Sequence, residues 1–366
     1  MTGITVLIPV YIGHSYLEKL IKKLVEDPYP EKEILVCADT PNEETLKLTE
    51  TYPDVNFIFN DERQGKVNSL NNAVSKATND FLLFLDSDIE IRMDNFLECV
   101  VKELEEHELI DLKKVIIRDN ILARIVSYDY LSSSLANFVF NKFLKRSPQF
   151  NGAAFAIRKE TFNKLGGFKP VICEDLEIAF QAFMARVDFN YADHIEVYNA
   201  VDPSLRLWFK QRIRWGAGLS EWIAGNFKAI VSSTVRNPLL FIFAFMMIFP
   251  SAPLMIFRFM IPDSLQLKEM SLILLGLSSL HILFIPSVYV ASLILLAFEG
   301  AVLLLATFVI NGVIMLLAAR RLGFKFNPLE YAVYFLIYNP LWFMITLVML
   351  FRTIIHRVPR DLDWKV

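Results

Sequence analysis

The sequence has few cysteines and no excess of positive charge. Its cysteines, Cys37, Cys99 and Cys173, are odd in number and include no CxxC pair, so we expect reduced thiols and no disulfide framework. The formal net charge of −3 gives no sign of the global basic excess that is typical of nucleic-acid-binding proteins. No secretory signal peptide opens the sequence, so we expect residues 1–230 to stay in the cytoplasm.

Three common ligand-binding motifs are also missing. No GxGxxG follows the first apolar segment, and Gly65-Lys66 lacks the earlier glycine and the Ser or Thr of a P-loop. The alternating acids at 86, 88 and 90 resemble the start of an EF-hand loop. Ile91 and Leu97, however, stand where that loop requires glycine and glutamate. The sequence therefore excludes a dinucleotide-binding fingerprint, a Walker-type site and an EF-hand.

Charge is absent from four long stretches in the second half of the chain. Core helices of soluble proteins seldom run so far without charge, and each stretch is long enough for a membrane span of roughly 20 residues. We therefore predict an interfacial region at 203–236 and a transmembrane domain at 237–366. The predicted hydrophobic segments are about 238–258, 270–296, 298–319 and 331–353.

The number of spans stays open between three and four. The positive-inside rule places both the Arg320, Arg321 and Lys325 cluster and the basic C-terminal tail in the cytoplasm. Neither three nor four simple spans achieves this, so one segment is expected to be re-entrant or interfacial. Pro286 and Glu299-Gly300 are candidate turns, and we prefer a turn at Glu299 to a functional carboxylate within the membrane.

The first hundred residues alternate between apolar strand patterns and amphipathic helix patterns. Such alternation predicts βαβ units and a parallel sheet within a catalytic domain at 1–202. Ligands of such sheets bind outside the carboxyl ends of the strands. This rule points to Asp39, which follows the predicted strand Glu33–Ala38, and to Asp86-Ser87-Asp88, which follows Phe81–Leu85.

Asp86 and Asp88 are candidate metal ligands. Residues i and i+2 of an extended chain point to the same side, and paired carboxylates suit Mg²⁺ or Mn²⁺, which takes its other ligands from water and phosphates. A solvated turn is the alternative. Further along, Glu174 and Asp175 open a predicted helix, either as an N-terminal cap or, for Asp175, as a general base.

Gln211, Arg214 and Trp215 share one face of a predicted helix at the i, i+3, i+4 spacing. The guanidinium can bind a diphosphate through two hydrogen bonds, and the indole can stack on a sugar or base. A basic helix on the membrane surface is the alternative.

These motifs, in this order, resemble the family 2 glycosyltransferases, and most closely the membrane-integrated branch with cellulose and hyaluronan synthases and ceramide glucosyltransferase. The family pattern is an Asp after the second strand, a DxD, a later (T/E)D and a QxxRW. The corresponding residues here are Asp39, Asp86-Ser87-Asp88, Glu174-Asp175 and Gln211–Trp215, with Gly65–Ala73 and Asn151–Arg158 as further similar segments. One departure is Ala38-Asp39, where the family commonly has paired aspartates.

The resemblance implies a GT-A-like nucleotide-diphospho-sugar transferase domain with a mainly parallel sheet, followed by an α-helical transmembrane bundle. It implies an inverting transfer in which Asp175, next to Glu174, is the catalytic base, and Asp86 and Asp88 hold Mn²⁺ or Mg²⁺. The residues expected to bind the donor nucleotide sugar, UDP- or GDP-linked, are Pro9, Asp39, Lys66, Asn68, Asp86, Gln211, Arg214 and Trp215.

The acceptor remains open at this point. A small membrane bundle favours a lipid or lipid-linked glycan, and the alternatives are a processive polysaccharide synthase and a polyprenyl-phosphate transferase. A phosphate acceptor needs no base, so Asp175 and the QxxRW argue for a hydroxyl. An inactive membrane scaffold of the same fold is the non-enzyme alternative.

Overall fold

A computed structural model describes residues 2–10, 15–39, 41–60, 63–250, 252, 272, 276–277, 279–280 and 287–355. Its first half alternates strands and helices: β1 (Ile4–Val10), α1 (Ser15–Val25), β2 (Lys32–Asp39), α2 (Glu43–Thr51), β3 (Asn56–Asn60), α3 (Lys66–Lys76), β4 (Phe81–Leu85), β5 (Ile89–Glu90) and α4 (Phe96–Glu106). There follow β6 (Leu109–Ile116), α5 (Ile121–Leu144), β7 (Ala154–Arg158), α6 (Lys159–Lys164), α7 (Glu174–Ala185) and β8 (Phe189–Asn199).

The strands form one sheet in the order β3-β2-β1-β4-β7-β6-β8-β5. The first four strands are parallel, as predicted, and β6 and β8 are also parallel. Strand β7 lies antiparallel between β4 and β6, and β5 is antiparallel to β8, so the sheet is mixed. Helices α1 and α4 pack on one face through Leu17, Leu20, Leu97 and Val100. Helices α3 and α5 pack on the other face.

The second half is helical: α8 (Leu205–Arg236), α9 (Pro238–Ile248), α10 (Ser287–Leu322), α11 (Pro328–Val333), a π-helical turn (Tyr334–Tyr338) and α12 (Asn339–Ile355). Among the described residues, two helical segments, Ala301–Leu322 and Pro328–Ile355, are long and apolar enough to cross a membrane. A third becomes possible if α8 and α9, which meet at a bend of 113°, count as one broken span. Pro238 begins α9 directly after the bend.

The structure corrects one feature of the predicted helical half. Helix α10 runs without a break through Glu299-Gly300, so the turn predicted there is wrong. The bounds of the hydrophobic segments stay predictions. A glycine inside a helix costs only about 1 kcal/mol relative to alanine, and the apolar residues on both sides continue the helix. Most of segment 270–296, including Pro286, lies outside the described residues.

The core is continuous between the sheet and the helical half. A single cluster of buried side chains contains Leu7 and Phe84 of the sheet, Leu131 of α5 and Met315 and Tyr334 of the C-terminal helices. Helix α5 lies between the two halves and therefore carries side chains that face both. This arrangement places the polar ends of β4 and β7 next to the helices that follow the sheet.

Candidate active site

Asp86 stands where a fully buried apolar strand ends. The five residues of β4 are all buried, and the next residue, Asp86, has a partly exposed carboxylate. Its N–H donates to the carbonyl of Ala153 at 2.9 Å, which fixes the strand end against the start of β7. The sequence FLLFL followed by an acid thus delivers the carboxylate to the edge at which ligands of α/β sheets bind.

Lys66 joins two of the predicted acids. Gly65 adopts a φ of 87° and lets the chain turn into α3. Lys66 Nζ then lies 2.9 Å from Asp86 Oδ1 and 3.0 Å from Glu174 Oε1. Burial lowers the pKa of Lys66, but the two carboxylates outweigh it and raise that pKa above its usual value. Lys66 is therefore a fixed positive charge at the strand edge.

Asp175 is held at the N-terminal end of α7. Its Oδ2 accepts a hydrogen bond from the Gly152 N–H and its Oδ1 from the Leu176 N–H, both at 2.8 Å. Gly152 allows this approach because a Cβ there would stand 2.7 Å from the Asp175 Cβ. Desolvation and the adjacent Glu174 carboxylate raise the pKa of Asp175 to about 6, against the opposing charge of Lys66. A carboxylate tuned in this way is still ionised at neutral pH and can accept a proton.

Eight predicted site residues line one cavity of about 460 Å³. The strand ends supply Asp86 and Asp88, α3 supplies Lys66, α7 supplies Glu174 and Asp175, and α8 supplies the three polar and aromatic residues Gln211, Arg214 and Trp215. Trp342 of α12 also lines it. Residues of the catalytic domain and of the C-terminal helices therefore line this cavity together.

The three other predicted donor-binding residues do not line this cavity. Pro9 lines a small recess beside Lys66 and Asp86. Asp39 is buried, and its carboxylate accepts the backbone N–H groups of Gln64 and Gly65, each at 2.8 Å. It thereby holds the loop that leads to Lys66. The Asn68 side chain donates to the Gln64 carbonyl at 3.0 Å. The roles of all three in donor binding stay predictions.

Arg212 is a residue that sequence reasoning missed. It lines the second of two cavities rather than the first, which Arg214 lines, and it is 3% exposed. Its guanidinium pairs with Asp129 of α5 at 2.8 Å and donates to the Tyr338 hydroxyl, which itself donates to Asp129. The ring of Trp215 lies 4.5 Å from the guanidinium carbon. This buried network fixes α8, and with it the orientation of the QxxRW face, against α5 and the π-helical turn.

A second cavity, of about 220 Å³, adjoins the first. Tyr130, Ser133, Gln149, Asn151, Trp215 and Trp342 line both. Its acidic and basic residues occur as ion pairs: Lys114 with Asp111, and Arg212 with Asp129. The remainder of its polar lining consists of serines, amides and the hydroxyl of Tyr130, whose pKa burial raises to about 12. The cavity therefore offers hydroxyls, amides and aromatic rings.

Few side chains at this site could act as metal ligands. Within the described ranges, no group of three or more His, Cys, Asp or Glu side chains could hold a metal ion. Asp86 and Asp88 supply two carboxylates on the same cavity. Two carboxylates fit Mg²⁺ or Mn²⁺, because these ions take their remaining ligands from water and substrate phosphates.

The mixed sheet, the acidic edge and the apolar helices that follow it define a GT-A-like, nucleotide-sugar-type glycosyltransferase fold joined to membrane helices. Residues 5–166 match the family described as Glycosyl transferase family 2. The predicted fold class is thereby confirmed. Placement in the cellulose and hyaluronan synthase branch stays a prediction.

Curated relatives include the poly-β-1,6-N-acetyl-D-glucosamine synthase of Staphylococcus epidermidis, 22% identical over 63% of this chain and 58% of that protein. The Staphylococcus aureus (strain COL) protein of the same name is 25% identical over 65% of this chain and 60% of its own length. The chain thus spans about three fifths of these relatives. Among solved structures, the mannosyltransferase PcManGT from Pyrobaculum calidifontis, in complex with GDP-Man and Mn²⁺, aligns with a TM-score of 0.54 and 21% identity over 92% of this chain and 87% of its own.

Proposed function

We propose that this chain is an inverting membrane glycosyltransferase that moves a sugar from a nucleotide-sugar donor to an acceptor hydroxyl. The observation that carries the proposal is one cavity in which a carboxylate with a pKa of about 6, Asp175, faces the same space as the acids Asp86 and Asp88 and the cations Lys66 and Arg214. Such a set combines a proton acceptor with groups that bind a diphosphate.

Asp175 is the proposed general base. An acceptor hydroxyl becomes a good nucleophile only when a positioned group removes its proton. The two backbone N–H donors fix the Asp175 carboxylate in one orientation. Glu174 repels the ionised form and so strengthens Asp175 as a base. The oxygen of the acceptor attacks the anomeric carbon as the bond to the diphosphate breaks, and the proton passes to Asp175.

The departing diphosphate requires positive charge. Asp86 and Asp88 would hold Mg²⁺ or Mn²⁺, which when bound supplies charge neutralisation for the leaving group. Arg214 can bind phosphate oxygens through its planar guanidinium. Lys66, already between Asp86 and Glu174, lies within reach of the same region. Trp215 and Gln211 offer a stacking surface and an amide for a sugar ring.

The second cavity supports an uncharged glycan as the acceptor. A pyranose needs hydroxyl and amide partners and an aromatic face, which is what Ser133, Asn151 and Trp215 provide. A phosphate group would require a cation, but among the described residues Lys114 and Arg212 are already paired. The names of the curated relatives also favour a polysaccharide product. We therefore rank a glycan chain first and a lipid or lipid-linked acceptor second.

The orientation in the membrane follows from the basic end of α10. Arg321 lies 3.4 Å from Asp193 of β8, and the Lys325 carbonyl accepts from Arg118 at 3.2 Å. The basic cluster that the positive-inside rule assigns to the cytoplasm therefore lies on the same side as the catalytic domain. We propose that the catalytic domain faces the cytoplasm.

Transfer of radiolabel tests the proposal. Detergent-solubilised protein is incubated with Mn²⁺, a membrane-lipid extract and labelled UDP- and GDP-sugars, and the products are partitioned between organic solvent and water. Label in a high-molecular-weight, solvent-insoluble fraction supports a glycan-chain acceptor, and label in the organic phase supports a lipid-linked one.

Asp175→Asn should lower transfer by about 10²–10⁴-fold while donor binding persists. The control Asp54→Asn removes an exposed carboxylate of the loop before β3 and should leave transfer unchanged. Normal turnover of Asp175→Asn would refute the assignment of the base. Failure of the wild-type protein to bind a nucleoside diphosphate with Mn²⁺ or Mg²⁺ in calorimetry would favour the inactive scaffold.

A further inference from the structure

A patch of basic and apolar side chains lies where α5 and α7 end, outside the cavities described above. The exposed members include Phe143, 66% exposed, and Met184, 44% exposed. We refer to the following residues as the basic–apolar patch: Lys142, Phe143, Lys145, Arg146, Met184 and Arg186.

Backbone geometry brings the two halves of the patch together. Lys145 caps α5 and Arg186 caps α7, both in the left-handed conformation, with φ of 53° and 61°. The Lys145 carbonyl accepts the Phe189 N–H at 2.9 Å. The Arg146 guanidinium lies over the Phe183 ring, 5.0 Å from its centroid. The patch is therefore one surface formed by two helix ends.

Within the part of the chain that the structure describes, the cations of the patch have no carboxylate partner. Among the described residues, Lys142, Lys145, Arg146 and Arg186 form no salt bridge. Burial and the like charge of Arg186 lower the pKa of Arg146. The nearest acid along the chain, Asp188, is bonded to His107 at 2.6 Å. Four cations in one place without a counter-ion favour an anionic partner.

The patch lies next to an apolar helix of the membrane half. Phe241 of α9 contacts Phe140 and Phe183, with ring centroids 5.4 and 6.0 Å apart. Helix α9 carries no charge and exposes Leu239 to 82%. The Ser233 hydroxyl, one turn before the 113° bend, donates to the sulfur of Met184 at 3.3 Å. The patch is thus continuous with the surface that we assign to the bilayer.

We propose that the basic–apolar patch binds the headgroups of anionic membrane lipids. In this arrangement the cations lie at the level of the headgroups, while Phe143 and Met184 extend towards the acyl chains. Interfacial membrane segments show the same separation of basic and apolar side chains. Each Lys or Arg close to an anionic membrane surface contributes about 1 kcal/mol of attraction. A soluble phosphate would account for the cations but not for the exposed apolar side chains between them.

Lipid selectivity of the reconstituted full-length protein is the test. The protein is placed in phosphatidylcholine vesicles that contain a trace of spin-labelled phosphatidylglycerol or spin-labelled phosphatidylcholine, and the motionally restricted fraction is measured. We expect the anionic probe to be retained preferentially and the preference to decline with added salt. Equal retention of the two probes by the wild-type protein would overturn the proposal.

Charge-neutral variants test whether the cations of the basic–apolar patch cause the preference for the anionic probe. Lys142→Gln and Arg146→Gln are combined with Lys145→Asn and Arg186→Asn, because asparagine tolerates the left-handed backbone at the last two positions. This variant should lose the preference, and single substitutions should each lower it by up to about fivefold. A variant that exchanges Lys and Arg at the four positions should keep it.

The matched control neutralises four exposed lysines on helices α1, α2 and α3: Lys19, Lys22, Lys47 and Lys76 to Gln. It should retain the preference for phosphatidylglycerol. If the control loses as much preference as the patch variant, net charge rather than the patch selects the lipid and the proposal is wrong. Melting curves of each variant establish that the compared proteins are folded, and the salt dependence of the wild type tests the proposal without any substitution.

Discussion

Acidification should switch off glycosyl transfer through Asp175, whose pKa is raised to about 6 by desolvation and by Glu174. Transfer requires the deprotonated carboxylate, so activity is present above this pKa and lost as the pH falls through it. At pH 5, one unit below, only about a tenth of the protein carries an ionised Asp175, and kcat/KM should fall about tenfold. Initial rates at low donor and acceptor concentrations, measured from acidic to neutral pH, give this profile.

Two neighbouring substitutions should move the midpoint in opposite directions. Glu174→Gln removes the repelling carboxylate and should shift it down towards 3.8, the ordinary value for aspartate. Lys66→Gln removes a charge that lowers the pKa of Asp175 and should shift the midpoint up. The maximal rate of either variant can fall for other reasons, but the midpoint is independent of that loss. Midpoints that stay fixed, or that move in the same direction, would refute the electrostatic argument, provided that melting curves show folded protein at each pH.

Three further predictions follow from the same site and its supports. Gly152→Ala places a methyl group where the Asp175 Cβ is only 2.7 Å away, so displacement of the base should lower kcat about 100-fold, and the overpacking should cost about 1–3 kcal/mol of stability; an unchanged kcat would contradict the contact. Arg212→Leu leaves the Asp129 carboxylate buried without its cation, which should cost about 3–5 kcal/mol of stability. Thermal denaturation in detergent measures this, and addition of Asp129→Asn should restore part of the loss. Removal of divalent metal with EDTA should abolish transfer and Mn²⁺ should restore it, whereas full activity in EDTA would show that Asp86 and Asp88 hold no required ion.

The parallel part of the sheet could be predicted because its strands are short apolar runs. Strands β1 and β4 are almost wholly buried, and a run of buried residues between helical patterns is a local signal. Strand β6 gives no such signal, since Asp111, Lys113 and Lys114 interrupt it. These charged residues are nevertheless buried. Each forms an ion pair, either with a residue of the neighbouring strand β8 or within β6. Lys113 pairs with Glu196 of β8, which is distant along the chain, so this partner cannot be read from spacing. Lys114 pairs with Asp111 of the same strand, three residues earlier.

The candidate site also combines residues that the sequence predicts with a residue that it does not. Helical spacing placed Gln211, Arg214 and Trp215 on one face, and the structure brings all three to the cavity. Spacing gave no reason to single out Arg212, whose partners Asp129 and Tyr338 belong to helices far away in sequence. Local periodicity predicts which side chains share a surface, whereas the packing of one helix on another decides which of them is buried.

Helix α5 has a practical consequence for protein production. The Tyr128 hydroxyl donates to the Asn327 carbonyl and accepts the Asn327 N–H, each at 2.9 Å, and Arg118 pairs with Glu330. A soluble fragment that ends at residue 202 would leave open to water the α5 side chains that pack on the C-terminal helices, including Tyr128 against Tyr334 and Phe140 against Phe241. Such a fragment should aggregate unless these positions are redesigned as polar, because a large exposed apolar surface promotes association. Purification of the catalytic half therefore calls for the membrane helices to be retained.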